Sequence, residues 1–149
     1  LGHRNILYYT QSFRSKIMIE RQEGFLQAVA GLSFEQTTVI ETATELQTVL
    51  QRPVGERATG VVAFNDQIAF EVLDIARALS LRVPEDLSLV GFDNNIYAKL
   101  ARPSLTTIGG PLEVLTDTSV RLLLSLCRGE KEITLPPALP MQLVLRQST

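Results

Sequence analysis

Two rhythms alternate along this chain: short unbroken apolar runs, and longer stretches in which apolar residues recur at steps of three and four. Unbroken runs bounded by polar turns read as strands buried on both faces, and the three-to-four spacing reads as helices with one inward face. Residues 5–10 (Asn-Ile-Leu-Tyr-Tyr-Thr) predict a first strand and 37–40 a second. Residues 60–64 (Gly-Val-Val-Ala-Phe) and 87–92 (Leu-Ser-Leu-Val-Gly-Phe) predict two more, 105–108 a fifth and 139–146 a last one. Pro140 argues that this last strand lies at an edge or only begins there.

Between the strands lie the helical patterns. Over 16–30, Ile17, Arg21, Gly24, Phe25, Ala28 and Val29 share the helical spacing, and Gly31 ends the helix. A glycine in a helix interior costs about 1 kcal/mol relative to alanine, so Gly24 implies close packing on the sheet. A short helix over 43–50 stops ahead of Pro53. Ile68, Ala69, Val72, Leu73, Ala76 and Leu79 predict the next helix, with Asn65 as its N-cap and Asp66 in the first turn, where a negative charge complements the helix dipole. Residues 96–100 form one helical turn. Pro111 suits the first position of a helix that runs to Arg128 and stops at Gly129, with Leu112, Leu115, Leu122, Leu123 and Leu126 on a wide apolar face. Pro136-Pro137 makes a rigid turn. This strand–helix alternation implies βαβ units, right-handed crossovers and an α/β fold on a parallel sheet flanked by helices.

Composition narrows the function. The chain has 149 residues, 45% of them hydrophobic, enough for one real core, and a net charge of −2 from intermixed signs. No Lys/Arg run offers a stripe for tracking phosphates, so this segment is not expected to grip DNA by itself. The one cysteine, Cys127, allows no internal disulfide or cysteine-based metal site and suits a small buried hydrophobe in a reduced, cytoplasmic protein. No apolar run reaches the length of a membrane span. The chain begins without Met and runs straight into a strand, which reads as a fragment of a longer protein.

Candidate chemistry gathers where strands end. Phe64-Asn65-Asp66 and Phe92-Asp93-Asn94 repeat one arrangement, an aromatic closing a buried strand and then an amide and a carboxylate. In a parallel sheet the carboxyl ends of the strands open onto a crevice, so these groups face a ligand there, and Asp93 leads the candidates. Asn65 and Asp66 also have capping roles. Arg21 reads either as an ordinary exposed arginine or as a bidentate donor to hydroxyl pairs or a carboxylate. Tyr8, Tyr9 and Phe13, near the end of the first strand, suit stacking on a sugar or base, and Tyr8 and Tyr9 equally suit the core. His3, the one histidine, precedes the first strand at the wrong end of the sheet for catalysis, and no nucleophile–base pair or metal cluster occurs. Gly109-Gly110-Pro111 lacks the lysine and hydroxyl of a phosphate loop and reads as a hinge or turn. No enzyme activity, cofactor or metal is expected.

Five motifs together resemble the lactose-repressor/galactose-repressor family of bacterial transcription regulators. They are Leu1-Gly2-His3-Arg4-Asn5-Ile6, Glu20-Arg21-Gln22-Glu23-Gly24-Phe25, Phe64-Asn65-Asp66-Gln67-Ile68-Ala69, Leu81-Arg82-Val83-Pro84-Glu85-Asp86-Leu87 with Ser88-Leu89-Val90-Gly91-Phe92-Asp93, and Pro103-Ser104-Leu105-Thr106-Thr107-Ile108. The resemblance implies an effector-binding core of the type I periplasmic-binding-protein kind, two α/β lobes joined by crossover strands behind a DNA-binding headpiece. By that pattern residues 1–102 and 138–149 are the second lobe, residues 103–137 the crossover strand and a helix belonging to the first lobe, and the headpiece lies outside this chain. It places effector contacts on Arg21, Asn65 and Asp93, and a homodimer face on the exposed side of helix 66–80 with residues 94–100. The family often carries a basic residue and then an effector-facing glutamine after the Thr-Thr-Ile strand. Gly109 and Gly110 stand in those places, so that crossover contact lacks its side chain.

The function expected is thus an effector-sensing regulator core that takes a sugar or related polar metabolite and reaches DNA only through a headpiece. A periplasmic solute-binding protein is the rival with the same fold, and a small flavodoxin-like enzyme the rival of another class. With the facing lobe absent, helix 111–128 is expected to fold back, pair with another copy or expose its leucines. For the same reason Asp93 would face an open half-site and the chain alone would bind its effector poorly.

Overall fold

The protein is described from a computed structural model, which covers residues 1–12, 15–130 and 137–149. Among these, β1 (Asn5–Tyr9), β2 (Gln36–Ile40), β3 (Gly60–Ala63), β4 (Ser88–Phe92), β5 (Thr106–Gly109) and β6 (Gln142–Val144) form one sheet in the order β2-β1-β3-β4-β5-β6. The first five strands run parallel, and β6 closes the edge antiparallel to β5 with Leu143 opposite Ile108. The helices are α1 (Lys16–Ala30), α2 (Ala43–Leu50), α3 (Asp66–Ala78), α4 (Ile96–Leu100) and α5 (Leu112–Cys127). The α/β expectation of a largely parallel sheet flanked by helices holds.

The two faces of the sheet are filled unequally. Leu7 and Tyr9 of β1, Val61 and Ala63 of β3 and Leu89 of β4 share one buried cluster with Leu46 and Leu50 of α2, Ile68, Val72 and Leu73 of α3, and Ala98 of α4. Tyr8, between Leu7 and Tyr9, points to the opposite face as strand alternation requires and stacks on Phe25 of α1, ring centroids 5.3 Å apart. Three helices cover one face, while α1 covers the other with a single buried residue, Met18.

Helix starts follow their caps. Thr42 Oγ1 accepts from Glu45 N while the Glu45 carboxylate accepts from the Thr42 hydroxyl and from Glu41 N, which ties down the start of α2. Asn65 accepts from Ile68 N and Asn95 from Ala98 N, which starts α3 and α4 immediately after the strand ends.

At the amino end of the sheet, hydroxyl groups tie the strands together. His3 lies between Thr59 Oγ1 and Ser88 Oγ, 2.9 Å from each, and burial, helped by the nearby N-terminal charge, lowers its imidazole pKa. Ser148 is fully buried between β4 and β5: its hydroxyl donates to Leu89 O and accepts from Thr106 N, while its carbonyl accepts from Leu89 N.

Several expectations are corrected. A Cβ on Gly24 would meet nothing within 4 Å, so that glycine is not packed on the sheet; it borders a hollow instead. Cys127 is exposed, because α5 buries none of its residues. Pro111 caps α5 and does not open it, with ψ at 86° and Leu112 the first helical residue. The last strand is confined to Gln142–Val144, since Arg146 N turns to the Thr106 hydroxyl and Gln147 N to Ser104 O. Gly109 lies within β5 and is neither hinge nor turn: a Cβ there would come 2.3 Å from Asn94 Cβ, so space, not backbone freedom, demands it. The Pro136-Pro137 turn lies partly outside the described residues.

Candidate functional site

The site is built on Arg21, in the second turn of α1, whose side chain reaches across the carboxyl ends of β3 and β4. Its Nη1 donates to Phe64 O at 2.8 Å and its Nη2 to Asp93 Oδ1 at 3.0 Å. The guanidinium carbon lies 3.6 Å from the centre of the Phe92 ring and 4.9 Å from that of Phe64. The two aromatics that close β3 and β4 therefore serve as a seat for a cation, which rigidifies a long side chain and leaves further N–H donors for a ligand.

Asp93 meets Arg21 from a strained turn. Asp93 has φ of 106° and Asn94 φ of 51°, left-handed values that Asp and Asn tolerate better than most residues. Each amide of the turn has a partner: Asp93 N donates to Ile108 O at 2.7 Å, Asn94 N to Thr107 Oγ1 at 3.3 Å and Asn95 N to Asp66 Oδ2 at 2.8 Å. Arg146 adds Nη2 to Asn94 Oδ1 at 2.6 Å. Surrounding structure thus determines the strained backbone, as is common where a turn positions a ligand group. The Asp93 side chain remains 47% exposed and faces solvent beside Arg21.

Beneath the turn lies a residue whose role the sequence did not reveal. Asp66 is fully buried, its Oδ1 accepting from the Thr107 hydroxyl and its Oδ2 from Asn95 N. Burial raises its carboxyl pKa above the usual range, against the lowering effect of those two hydrogen bonds. It ties α3 to the turn and to β5. Gly91 makes room for it, since a Cβ there would lie 2.4 Å from Asp66 Oδ1. Asp66 opens α3 and Gly91 lies in β4, 25 positions apart, so no local pattern in the sequence announces that the glycine makes room for the carboxylate.

Of the four residues singled out from the sequence, Arg21 and Asp93 meet directly. Asn65 directs its amide oxygen to the α3 cap, one residue beyond the Phe64 carbonyl that Arg21 holds. Phe13 lies outside the described residues. Tyr8 and Tyr9 are both buried, on opposite faces of the sheet.

Two hollows meet at Arg21 and Phe92. One, about 430 Å³, runs from Asp93 past Gly110 to Pro111, Leu112 and Leu115 at the start of α5 and to Met141. The other, about 330 Å³, lies against the sheet between Tyr8, Phe25, Phe64 and Phe92. The larger suits a small molecule that offers hydroxyls to Arg21 and Asp93, and the smaller, which Arg21 also borders, offers aromatic rings to an apolar surface. Among the described residues no group of three His, Cys, Asp or Glu side chains is placed to hold a metal ion.

All 149 residues match a family model described as a periplasmic binding protein-like domain. The chain belongs to that family. It is similar to the HTH-type transcriptional regulator DegA of Bacillus subtilis, 33% identical, with 100% of this chain matching 46% of that protein. Among solved structures it resembles a LacI transcriptional regulator from a Rhodococcus species, 32% identical with a TM-score of 0.80, over 99% of this chain and 56% of the other. A LacI-family regulator from Enterococcus faecium, described with bound ribose, is 28% identical with a TM-score of 0.82 over 99% of this chain and 57% of that one. The resemblance read from the five sequence motifs is thereby upheld. The chain spans about half the length of the curated relatives it matches.

Proposed function

We propose that this chain is the second-lobe part of the effector-sensing core of a bacterial DNA-binding repressor, and that a sugar or related polar metabolite is its effector. The observation that carries the reading is Arg21, seated on Phe92 and bonded to both Phe64 O and Asp93 at the carboxyl ends of adjacent strands. Charged donors and acceptors side by side on an aromatic floor match the hydroxyl edges and apolar faces of a pyranose or furanose. That its relatives are DNA-binding regulators favours this reading over a transport protein or an enzyme.

In this proposal residues 1–102 and 138–149 form the lobe, residues 103–137 cross to the other lobe, and DNA is reached through a separate headpiece. The complete lack of buried residues on α5 supports that division, because its leucines then have a partner outside this chain. A homodimer would form over the groove of about 560 Å³ between α3 and α4, lined by Gln67, Phe70, Tyr97 and Leu100, where Tyr97 is 65% exposed. The protein would work in the cytoplasm without a cofactor; among the described residues no helix is long and apolar enough to cross a membrane. Effector binding shifts DNA affinity only if the effector prefers one lobe arrangement.

The test is a thermal-shift and calorimetric screen of the complete gene product against pentoses, hexoses and disaccharides, followed by operator-binding assays with and without the hit. A specific sugar should raise Tm by mass action, and Arg21→Ala and Asp93→Asn, the latter keeping a residue suited to the turn, should each sharply reduce the shift while leaving the fold intact. Stabilisation that survives both substitutions overturns the assignment of this crevice.

A further inference from the structure

Tyr8 is 2% exposed, and its hydroxyl has no hydrogen-bond partner among the described residues. Buried hydroxyls are nearly always paired, so an orphan calls for a reason. Thr10, two residues on and just past the carboxyl end of β1, has a second buried hydroxyl without a partner among the described residues. Two hydroxyls at the end of one strand, both unpaired among the described residues, leave hydrogen-bonding capacity for a ligand in the crevice.

The position of Tyr8 says what that partner is. Its ring stacks on Phe25 with centroids 5.3 Å apart and planes inclined by 30°, which fixes where the hydroxyl lies. Tyr8 lines the smaller hollow together with Arg21, Phe64 and Phe92, and the Arg21 charge acts on the hydroxyl. The Tyr8 side chain borders this hollow, so a ligand that fills it comes up against the residue whose hydroxyl lacks a partner among the described residues. The phenol remains a donor at every physiological pH, because burial pushes it up to about 12 in spite of Arg21.

Resting on the effector-crevice reading above, we infer that Tyr8 is a specificity-determining residue of the crevice: its hydroxyl donates to an oxygen at the end of the ligand turned toward the sheet. The site thereby favours a sugar carrying a hydroxyl or ring oxygen at that position over the matching deoxy sugar. Arg21 and Asp93 would read one edge of the ligand and Tyr8 the buried end, so the inner hollow discriminates and the outer one admits.

The experiment uses the complete gene product, its Tyr8→Phe variant, and D-ribose, L-arabinose, D-glucose, D-galactose and cellobiose, each compared with available monodeoxy analogues by isothermal calorimetry. Tyr8→Phe removes one oxygen and keeps the ring on Phe25, so the free variant should melt at or above the wild-type temperature. Its Kd for the bound sugar should rise about ten-fold, the size of one net hydrogen bond. One deoxy analogue should lose about the same factor against wild type and nothing further against the variant. Equal Kd values for wild type and variant overturn the role of Tyr8 and leave the crevice reading standing. A variant that melts well below wild type with unchanged Kd shows a structural hydroxyl and overturns it too. No binding of any of the five sugars to wild type overturns the sugar-effector reading and this inference with it.

Discussion

Helices α3 and α5 follow strands in the same way and carry comparable apolar faces, yet they end in opposite situations. Of the 13 residues of α3, seven are buried: Asp66, Ile68, Ala69, Val72, Leu73, Ile75 and Ala76. Of the 16 residues of α5, none is. Leu112, Leu115, Leu123 and Leu126 are each more than half exposed. An apolar face therefore announces that a helix needs a partner and says nothing about where the partner is. What distinguishes α3 is its first turn: Asp66 reaches β5 and α4 at once, so the helix is fastened at its start as well as packed along its side.

Removing that fastening should have the largest effect. Asp66→Ala leaves Asn95 N and the Thr107 hydroxyl without acceptors in a buried place, which should cost about 2–5 kcal/mol by urea denaturation. Its pH dependence follows from the direction of the shift. A carboxyl raised in the folded state binds more protons there than in the unfolded chain. Its stabilising contribution is thus full below the ordinary carboxylate value and is lost as pH rises through the raised one. The stability difference between wild type and Asp66→Asn should accordingly shrink from pH 4 toward pH 7. A difference that grows over that interval would show the carboxyl is not raised.

The contrast between the helices also marks what the sequence made legible. Strand ends, the Asn65 cap and the α2 boundaries follow from local rules, since apolar runs, caps and proline act within a few residues. The Arg21–Asp93 pairing was foreshadowed by the repeated aromatic–amide–carboxylate pattern, although 72 positions separate the two residues. The Asp66 role was not legible, because an acidic first turn has a sufficient local explanation and the Thr107 hydroxyl and Asn95 amide arrive by sheet register. Gly24 and Cys127 misled for one reason: each was read as if its helix were fully packed, and α1 and α5 are the two helices that leave most of their surface open.

Paired leucine truncations sharpen the comparison. Leu73, 7% exposed in α3, should lose about 2–4 kcal/mol on change to alanine, and Leu123, 60% exposed in α5, should change by less than about 0.5 kcal/mol in this chain. Equal losses from both would mean that α5 packs against another copy, and sedimentation would then show a dimer that Leu123→Ser disrupts. Cys127 offers a reading without loss of stability. As an exposed thiol it should react with a maleimide in native buffer as fast as in urea, and protection in native buffer would place a partner on the α5 face.

The smallest effect lies in the loop after α3, where Asp86 accepts from Arg82 N at 3.0 Å and from Arg82 Nε at 2.8 Å. These bonds hold the Asp86 carboxyl down at about 2. A lowered carboxyl contributes above its ordinary value and loses that contribution as pH falls through the lowered one, so the loop should stay closed at pH 4 and loosen only in stronger acid. Arg82→Ala should move the Asp86 titration, followed by carboxyl carbon shifts, back toward the usual carboxylate range while thermal stability at pH 7 barely changes, because exposed ion pairs contribute little. An unmoved titration would assign the shift to Arg57, whose Nη2 lies 3.7 Å from Asp86 Oδ1. Either result separates what orders the chain after α3 from what packs it, a distinction that α5, with no buried residue, leaves to a partner.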